Sequence, residues 1–438
     1  MDGATPPPPR SRRALLWTST SYFGEGLPWS FLHQMATEFL TAIGASNTQI
    51  GSTSLLHLAV TFKFAWSPIV DLYGRLRAWV VALEIMLGLG MMVVAALASP
   101  GALPLFWMLL SVLAVFHATH DIACDGLYLK ALDRPGQALY SGVRTAAFRA
   151  AMLVGSSLLV VLAGKTSWLV GFGSCGVLMV AVGLLNGGVL PRPASDLGGG
   201  ELRVRAAGQP GQAKAVFGQS FRSFLAQPHA PLVLSFMFLY RLGDIMMFAM
   251  SKPLLRDIGV DTAHRGMLNG LGISSFIVAS LLGGATIARV GFHRCLVPMT
   301  YLQNLAIPLY IVLAVFAPPF PVVIAIVIIE QFASGIGNAS HVVFLMRRSR
   351  AIFSASHYAF ATAIVSLGST LSGYLSGPLN TRVGHPWFFT CAFLASVPAL
   401  ILVWFVPRQP VEAETPAVAA APAPASAPPS APSSTDDR

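Results

Sequence analysis

About twelve stretches of this chain are each mainly apolar over roughly 20 residues, the length an α-helix needs to cross the hydrocarbon core of a bilayer. They run near 15–42, 49–71, 78–98, 104–129, 138–163, 167–189, 229–255, 265–288, 295–316, 320–346, 355–380 and 386–406. Lipid offers no hydrogen-bonding partner to the backbone, so helices, which satisfy their own, are the expected solution for such segments. Pro28, Pro68, Pro253, Pro308 and Pro378 fall inside them and mark expected kinks, as is usual in membrane helices. A soluble domain could not bury the apolar surface of 438 residues that are 54% hydrophobic and only 11% charged. The expected fold is therefore an all-α polytopic membrane protein.

The net charge of +10 is read through topology and not as a footprint for nucleic acid. Arg10, Arg12, Arg13, Arg75, Arg77, Lys130, Arg134, Arg192, Arg203, Arg205, Lys214, Arg222, Arg289, Arg294, Arg347, Arg348, Arg350 and Arg408 fall on one side of the twelve-span layout. Lys165, Arg256, Arg265 and Arg382 fall on the other. Both termini are accordingly expected in the cytoplasm. The proline-rich start lacks a small-residue cleavage site and reads as a lead-in, residues 1–14. The Ala/Pro/Ser-rich tail, residues 408–438, is too poor in large apolar groups to fold. Cys124, Cys175, Cys295 and Cys391 have neither CxxC nor metal-ligand spacing and are expected to be packing residues.

A loop over about 191–228, rich in Gly, Pro and Arg, separates two sets of six spans, 15–190 and 229–407. Within it Val216, Phe217, Phe221, Phe224 and Leu225 recur at helical spacing, fitting either an interfacial helix or an ordinary surface helix. The two halves align with each other at a shift of 217 residues. SPIVDLYGRLR (67–77) then lies over GATIARVGFHR (284–294), with Gly74 on Gly291 and Arg77 on Arg294. Tandem six-helix halves are how Major Facilitator Superfamily transporters are built, and the chain resembles that superfamily across its spans. Residues 67–77 also resemble its signature loop: Asp71, Gly74, Arg75 and Arg77 match, while Ser67 and Leu72 depart from it. The resemblance implies a gating latch in which Asp71 pairs with basic groups; positive-inside bias alone would also account for each arginine.

Longer words resemble one branch of that superfamily, the AmpG-type permeases. They are FKFAWSPIVDLYG (62–74), HDIACDGLYLKAL (120–132), FRAAMLVG (148–155), LYRLGD (239–244) and the run from EQFASGIGNASHVVFLMRR to SASHYAF (330–360). The resemblance implies secondary active import of anhydro-muropeptides (GlcNAc-anhydroMurNAc peptides) across the bacterial inner membrane for cell-wall recycling. Acetyl-CoA transporter relatives in the same branch leave another amphiphilic anion open as cargo, and a non-transporting membrane sensor is the reading outside transport. No cofactor is expected; the expected partners are a small-molecule substrate, protons and the bilayer, with the chain as a monomer.

Charged groups inside apolar spans are the candidate site, because an isolated charge at mid-membrane costs from about 2.5 to more than 10 kcal/mol. In HATHDIACD (117–125), His117, His120, Asp121, Cys124 and Asp125 fall on one helical face roughly 140° wide. Asp121, ahead of Asp125, is the expected proton carrier, with Arg149 of the fifth span as its expected counter-ion and Arg144 nearby. The histidines fit either a proton relay or hydrogen-bonded packing. Lys63 and Glu25 complete the mid-span charges weighed in the first two helices: they either pair with each other, or Glu25 is a further protonation site. The shift of 217 places neutral Asn338, Val342, Ala361 and Ser366 over Asp121, Asp125, Arg144 and Arg149, so the second half is specialised differently. There, Arg241 and Asp244 stand one turn apart, able to neutralise each other or to hold ligand. Glu330, Asn338 and His341 recur on one helical face, expected to line the second wall of a cavity. Two His and two Asp could hold a metal, but HExxH, GxSxG and paired ExxH motifs are absent from the sequence, so an enzyme is not expected.

Overall fold

The structure is a computed structural model, which describes residues 11–66, 70, 75–132, 134–192, 222–348 and 354–409. Every regular element among them is helical. The chain starts with α1 (Arg12–Ser30), capped by Ser11, whose hydroxyl accepts from the Ala14 amide. A π-helical turn, Phe31–Met35, three residues after Pro28, joins it to α2 (Ala36–Ala42). α3 (Asn47–Ser52) opens on a reciprocal cap between Ser46 and Gln49 and continues through short turns into α4 (His57–Phe62). α5 (Leu76–Ala96), α6 (Leu103–Ala131) and α7 (Arg134–Leu153) follow. A second π-helical turn, Val154–Leu159, leads to α8 (Val160–Lys165), and α9 (Trp168–Val189) completes the first half.

The second half runs through α10 (Ala230–Leu239), α11 (Leu242–Asp257), α12 (Thr262–Val290), α13 (Phe292–Leu305), α14 (Leu309–Phe316) and α15 (Phe320–Arg347). Its last element, α16 (Ser354–Leu402), is two helices folded at Gly384, whose φ of 74° is open to glycine at little cost. Among the described residues nine helical runs are long and apolar enough to span a membrane, the last being this folded pair. Expected spans 15–42 and 49–71 are not among the nine. The first is helical but carries polar residues such as Ser21, Glu25, Gln34 and Glu38, and the second is broken into short turns before residues 67–69. Leu184, Leu281 and Phe316 stay more than 60% exposed on the outside, as lipid-facing side chains do. All four cysteines are free, and three are buried as packing residues.

Residues 193–221, including Val216, Phe217 and Phe221, lie outside the described residues. Phe224 does not face an interface. It is 1% exposed, packed edge-on against His357 and Phe360, because the second-half helices offer an apolar slot where the helical spacing had allowed for lipid.

Helices up to Val189 pack mainly on one another, as do those from Ala230 onward. The two sets meet along two seams, α3 against α16 and α8 against α12. Both seams lie toward the end of the molecule away from Ser11, here termed the far end. Backbones touch there: a β-carbon at Gly377 would run into the Asn47 carbonyl oxygen, and one at Gly164 would stand 2.6 Å from the Ala263 amide. No side chain fits either gap. Gly377→Val is therefore expected to wedge the far end apart, lengthening the distance between spin labels on the exposed Thr48 and Thr381; an unchanged distance would refute this packing.

Candidate functional site

Two polar regions lie inside the molecule, and the spacing along α7 explains why they are separate. Arg144 and Arg149 are five residues apart, which puts them about 140° apart around the helix. Arg144 points back into its own half, where its Nη2 lies 2.8 Å from Asp125 Oδ1 and its guanidinium 4.4 Å above the Tyr22 ring. The Tyr22 hydroxyl donates to the same Asp125 oxygen at 2.9 Å. Asp121, one turn earlier on α6, directly contacts Lys63 Nζ from the turn after α4. Glu25 of α1 completes the group: one oxygen from each of Glu25, Asp121 and Asp125 lies within 4.8 Å of the others. Three carboxylates thus face two cations, and Glu25 is the one with no ion pair among the described residues, its Oε2 buried without a donor.

This geometry corrects two expectations, for Arg149 and His120, and removes one of the two alternatives kept for Lys63 and Glu25. Arg149 pairs with neither Asp121 nor Asp125, because Arg144 and Lys63 already occupy those carboxylates and the helix turns Arg149 away. Lys63 meets Asp121 and not Glu25. His120 leaves the acidic face: it is fully buried with Nε2 3.4 Å from Glu84 Oε1, and Glu84 also accepts from Asn186 Nδ2 at 2.7 Å. The same helical arithmetic accounts for it, since His120 and Asp125 differ by about 140°. His117 stays close to the acids, buried, with Nδ1 unpaired among the described residues.

The second region is a cavity of about 400 Å³ between the two helix sets. From the first half it receives Trp29, His33 and Gln34 around the π-helical turn of the first span, His57 of α4, and Phe148 and Arg149 of α7. From the second half come Arg241, Asp244, Phe248 and Lys252 around α11, and Asn269 and Phe276 of α12. Gln331 and Ser334 of α15 and Ser369 and Thr370 of α16 close the wall. Arg149 reaches across the gap to lie 4.9 Å above the Phe276 ring and makes a weak contact to Met152 Sδ at 3.7 Å. It has no carboxylate partner among the described residues. Arg241, by contrast, donates to Asp244 at 2.8 and 3.2 Å, and Ser334 donates to the other Asp244 oxygen at 3.1 Å, as the one-turn spacing allowed.

Glu330, Asn338 and His341 are not among the residues lining the cavity. Glu330 is 1% exposed and accepts from Gln331 Nε2 at 2.9 Å, while His341 stacks on Tyr240 with ring centroids 4.2 Å apart. Sequence spacing placed them on one face of α15. The face that reaches the cavity begins one residue later, at Gln331 and Ser334.

Beside the cavity the far end is held by charge. Glu38 of α2, 1% exposed, accepts from Arg265 Nε of α12 at 2.9 Å. Lys252 Nζ lies 3.9 Å from the other Glu38 oxygen and donates to the Gln34 carbonyl at 3.1 Å. Asn269 Nδ2 donates to the Ser156 carbonyl at 2.9 Å, and Arg256 donates to the Thr41 carbonyl at 3.1 Å. Glu38, Glu84 and Lys252 carry the same sequence signal as Glu25, a charge inside a largely apolar helical run, and that signal could have found them. Arg265 read there as an outside loop charge and is instead 3% exposed. Asp71 and Gly74 of the latch motif lie outside the described residues. Of its arginines, Arg75 is exposed just before α5, and Arg77 donates to the Gly187 carbonyl of α9.

A central cavity walled by two helix sets is a transporter's construction, and comparison with known proteins agrees. Residues 14–352 match the profile of the Major Facilitator Superfamily. The chain is 29% identical to the anhydromuropeptide permease of Escherichia coli K12 over 408 residues, covering 89% of this chain and 79% of that protein. It is 22% identical to the putative transporter AmpG 4 of Rickettsia conorii, covering 87% and 93%. Among solved structures it superposes on a bacterial homologue of the lysosomal transporter Spinster, inward-facing and occupied, with a TM-score of 0.69 at 12% identity, covering 89% and 95%. A point mutant of the nucleoside transporter NupG gives 0.66 at 15% identity, covering 90% and 98%. The chain belongs to the Major Facilitator Superfamily and is a multi-pass membrane transporter, not an enzyme.

Proposed function

We propose that this chain imports anhydro-muropeptides, GlcNAc-anhydroMurNAc peptides, across the bacterial inner membrane together with protons, by alternating access. The observation that carries the reading is Arg149, a cation facing the inter-bundle cavity with no carboxylate partner among the described residues. Such a group is completed by an anionic cargo. Trp29, Phe148 and Phe276 offer ring faces to sugars, and the amides of Gln34, Asn269 and Gln331 offer hydrogen bonds to acetamido and peptide groups. The similarity to the E. coli anhydromuropeptide permease supports this cargo.

Proton coupling is assigned to the Glu25, Asp121 and Asp125 cluster. With Lys63 and Arg144 as its only two cations among the described residues, the cluster is neutral when it holds one proton; Asp121 and Asp125 each have a cation, so Glu25, in place of the Asp121 expected from the sequence, is assigned that proton. With both termini in the cytoplasm, as loop charge favours, the far end faces the periplasm. The closed seams then make this the inward-facing state.

The test is uptake of labelled anhydro-muropeptide into proteoliposomes, with and without an inward proton gradient. Gradient-stimulated uptake is expected, and uptake equal to empty liposomes would refute the cargo. Competition by acetyl-CoA separates the other amphiphilic anion.

A further inference from the structure

Lys252 belongs to both systems described above. It lines the cargo cavity, and it reaches across the far end to Glu38 and the Gln34 carbonyl of the opposite half. Its neighbour Arg265 is fixed differently. Arg265 donates to Glu38 at 2.9 Å, to its own Val260 carbonyl at 2.7 Å and to Thr262 Oγ1 at 3.1 Å. Arg265 therefore balances the charge of the single carboxylate through one of its oxygens, and Lys252, 3.9 Å from the other, is the second cation on one acid. That leaves one positive charge in excess at a buried place, beside a cavity that already carries Arg149.

We infer that Lys252 is a hand-over residue: it binds an anionic group of the cargo while the far end is open, and passes to Glu38 and the Gln34 carbonyl when the far end closes. The inference rests on the transport reading and deepens it, by assigning a second anion-binding point and linking it to the gate. Glu38 and Gln34 are on the first half and Lys252 is on the second, so opening the seam separates Lys252 from both and frees it for cargo. Closing the seam offers the ammonium a competing carboxylate and carbonyl and so weakens its hold on the cargo as the cavity turns to the other side. Linkage makes the effect reciprocal: a cargo that holds Lys252 loosens the closed seam by the same factor. Arg265, tied to its own backbone, keeps the closure and takes no part in the exchange.

The test is a double-mutant cycle on the full-length protein, with Glu38→Gln, Lys252→Met and both together. Binding of GlcNAc-anhydroMurNAc-tripeptide is measured by calorimetry, and seam closure by the distance between spin labels on the exposed Thr166 and His264. Glu38→Gln is expected to tighten binding about fivefold or more by freeing Lys252, and to have no such effect in the Lys252→Met background. Cargo is expected to lengthen the label distance in wild type and to leave it unchanged in Lys252→Met, which still binds through Arg149. An equal Glu38→Gln effect in both backgrounds, or an equal cargo response, would overturn the hand-over. Lys252→Arg keeps the cation and is expected to keep the response; its loss there would mean packing, not charge, matters and would also overturn the inference. Absence of muropeptide binding in wild type would instead fail the cargo assignment, and the same cycle with acetyl-CoA then decides the hand-over.

Discussion

Replacing Arg149 by methionine is expected to lower kcat/KM for muropeptide uptake by roughly a hundredfold, about 3 kcal/mol, the usual cost of removing one partner of a buried charge pair. The protein itself should fold normally. Arg149 forms no ion pair among the described residues, and only its contacts to the Phe276 ring and Met152 are lost. Methionine fills much of the same apolar volume. Arg149→Lys should recover part of the activity: the charge stays, but the flat guanidinium that lies on Phe276 and can grip a carboxylate in two places does not. Uptake in proteoliposomes alongside a thermal melt checks both statements. A large drop in melting temperature with unchanged uptake would reverse the assignment, making Arg149 a structural residue.

Glu25→Gln should separate transport from its driving force. With the membrane potential clamped, one coupled proton supports about tenfold cargo accumulation per unit of pH gradient, since one unit is about 1.4 kcal/mol. The glutamine holds no exchangeable proton but preserves the neutral form that balances the cluster. The Lys63 and Asp121 contact and the Arg144 and Asp125 pair stay satisfied. Accumulation is therefore expected to fall to the level of passive equilibration, while exchange of labelled for unlabelled cargo continues. Asp125→Asn is the contrast. It leaves the Arg144 guanidinium, held between Tyr22 and Asp125, without its carboxylate, and should impair exchange as well. A Glu25→Gln protein that still concentrates cargo against the gradient would remove Glu25 from the coupling role.

Which parts of this were legible in the sequence follows from how local each interaction is. Arg241 and Asp244 lie on one chain segment three residues apart, and their ion pair could be read from spacing alone. The acidic face of α6 was legible for the same reason, because helical rotation fixes Asp121 and Asp125 on one side. Rotation also sets Arg144 and Arg149 about 140° apart; the expectation from sequence was Arg149, but rotation by itself does not say which of them meets the acids. That depends on where α1 and α4 stand, since Tyr22, Glu25 and Lys63 arrive from other helices. Lys63 and Asp121 are 58 residues apart, and Glu38 and Arg265 are 227 apart. No periodicity carries such distances.

The apolar runs by themselves determined that this chain is helical and lives in a membrane, because lipid forces the backbone to satisfy its own hydrogen bonds and runs of about 20 apolar residues do so as helices. They also determined that charges within those runs must be buried or paired. Only the tertiary structure decided the pairing. It assigned Arg144 and Lys63 to the acids, left Arg149 facing the cavity, and set Lys252 beside Glu38 across the closed seam. Counter-ions are selected by proximity in space, and in a bundle of many spans that proximity is fixed by how the helices pack, which no single segment encodes.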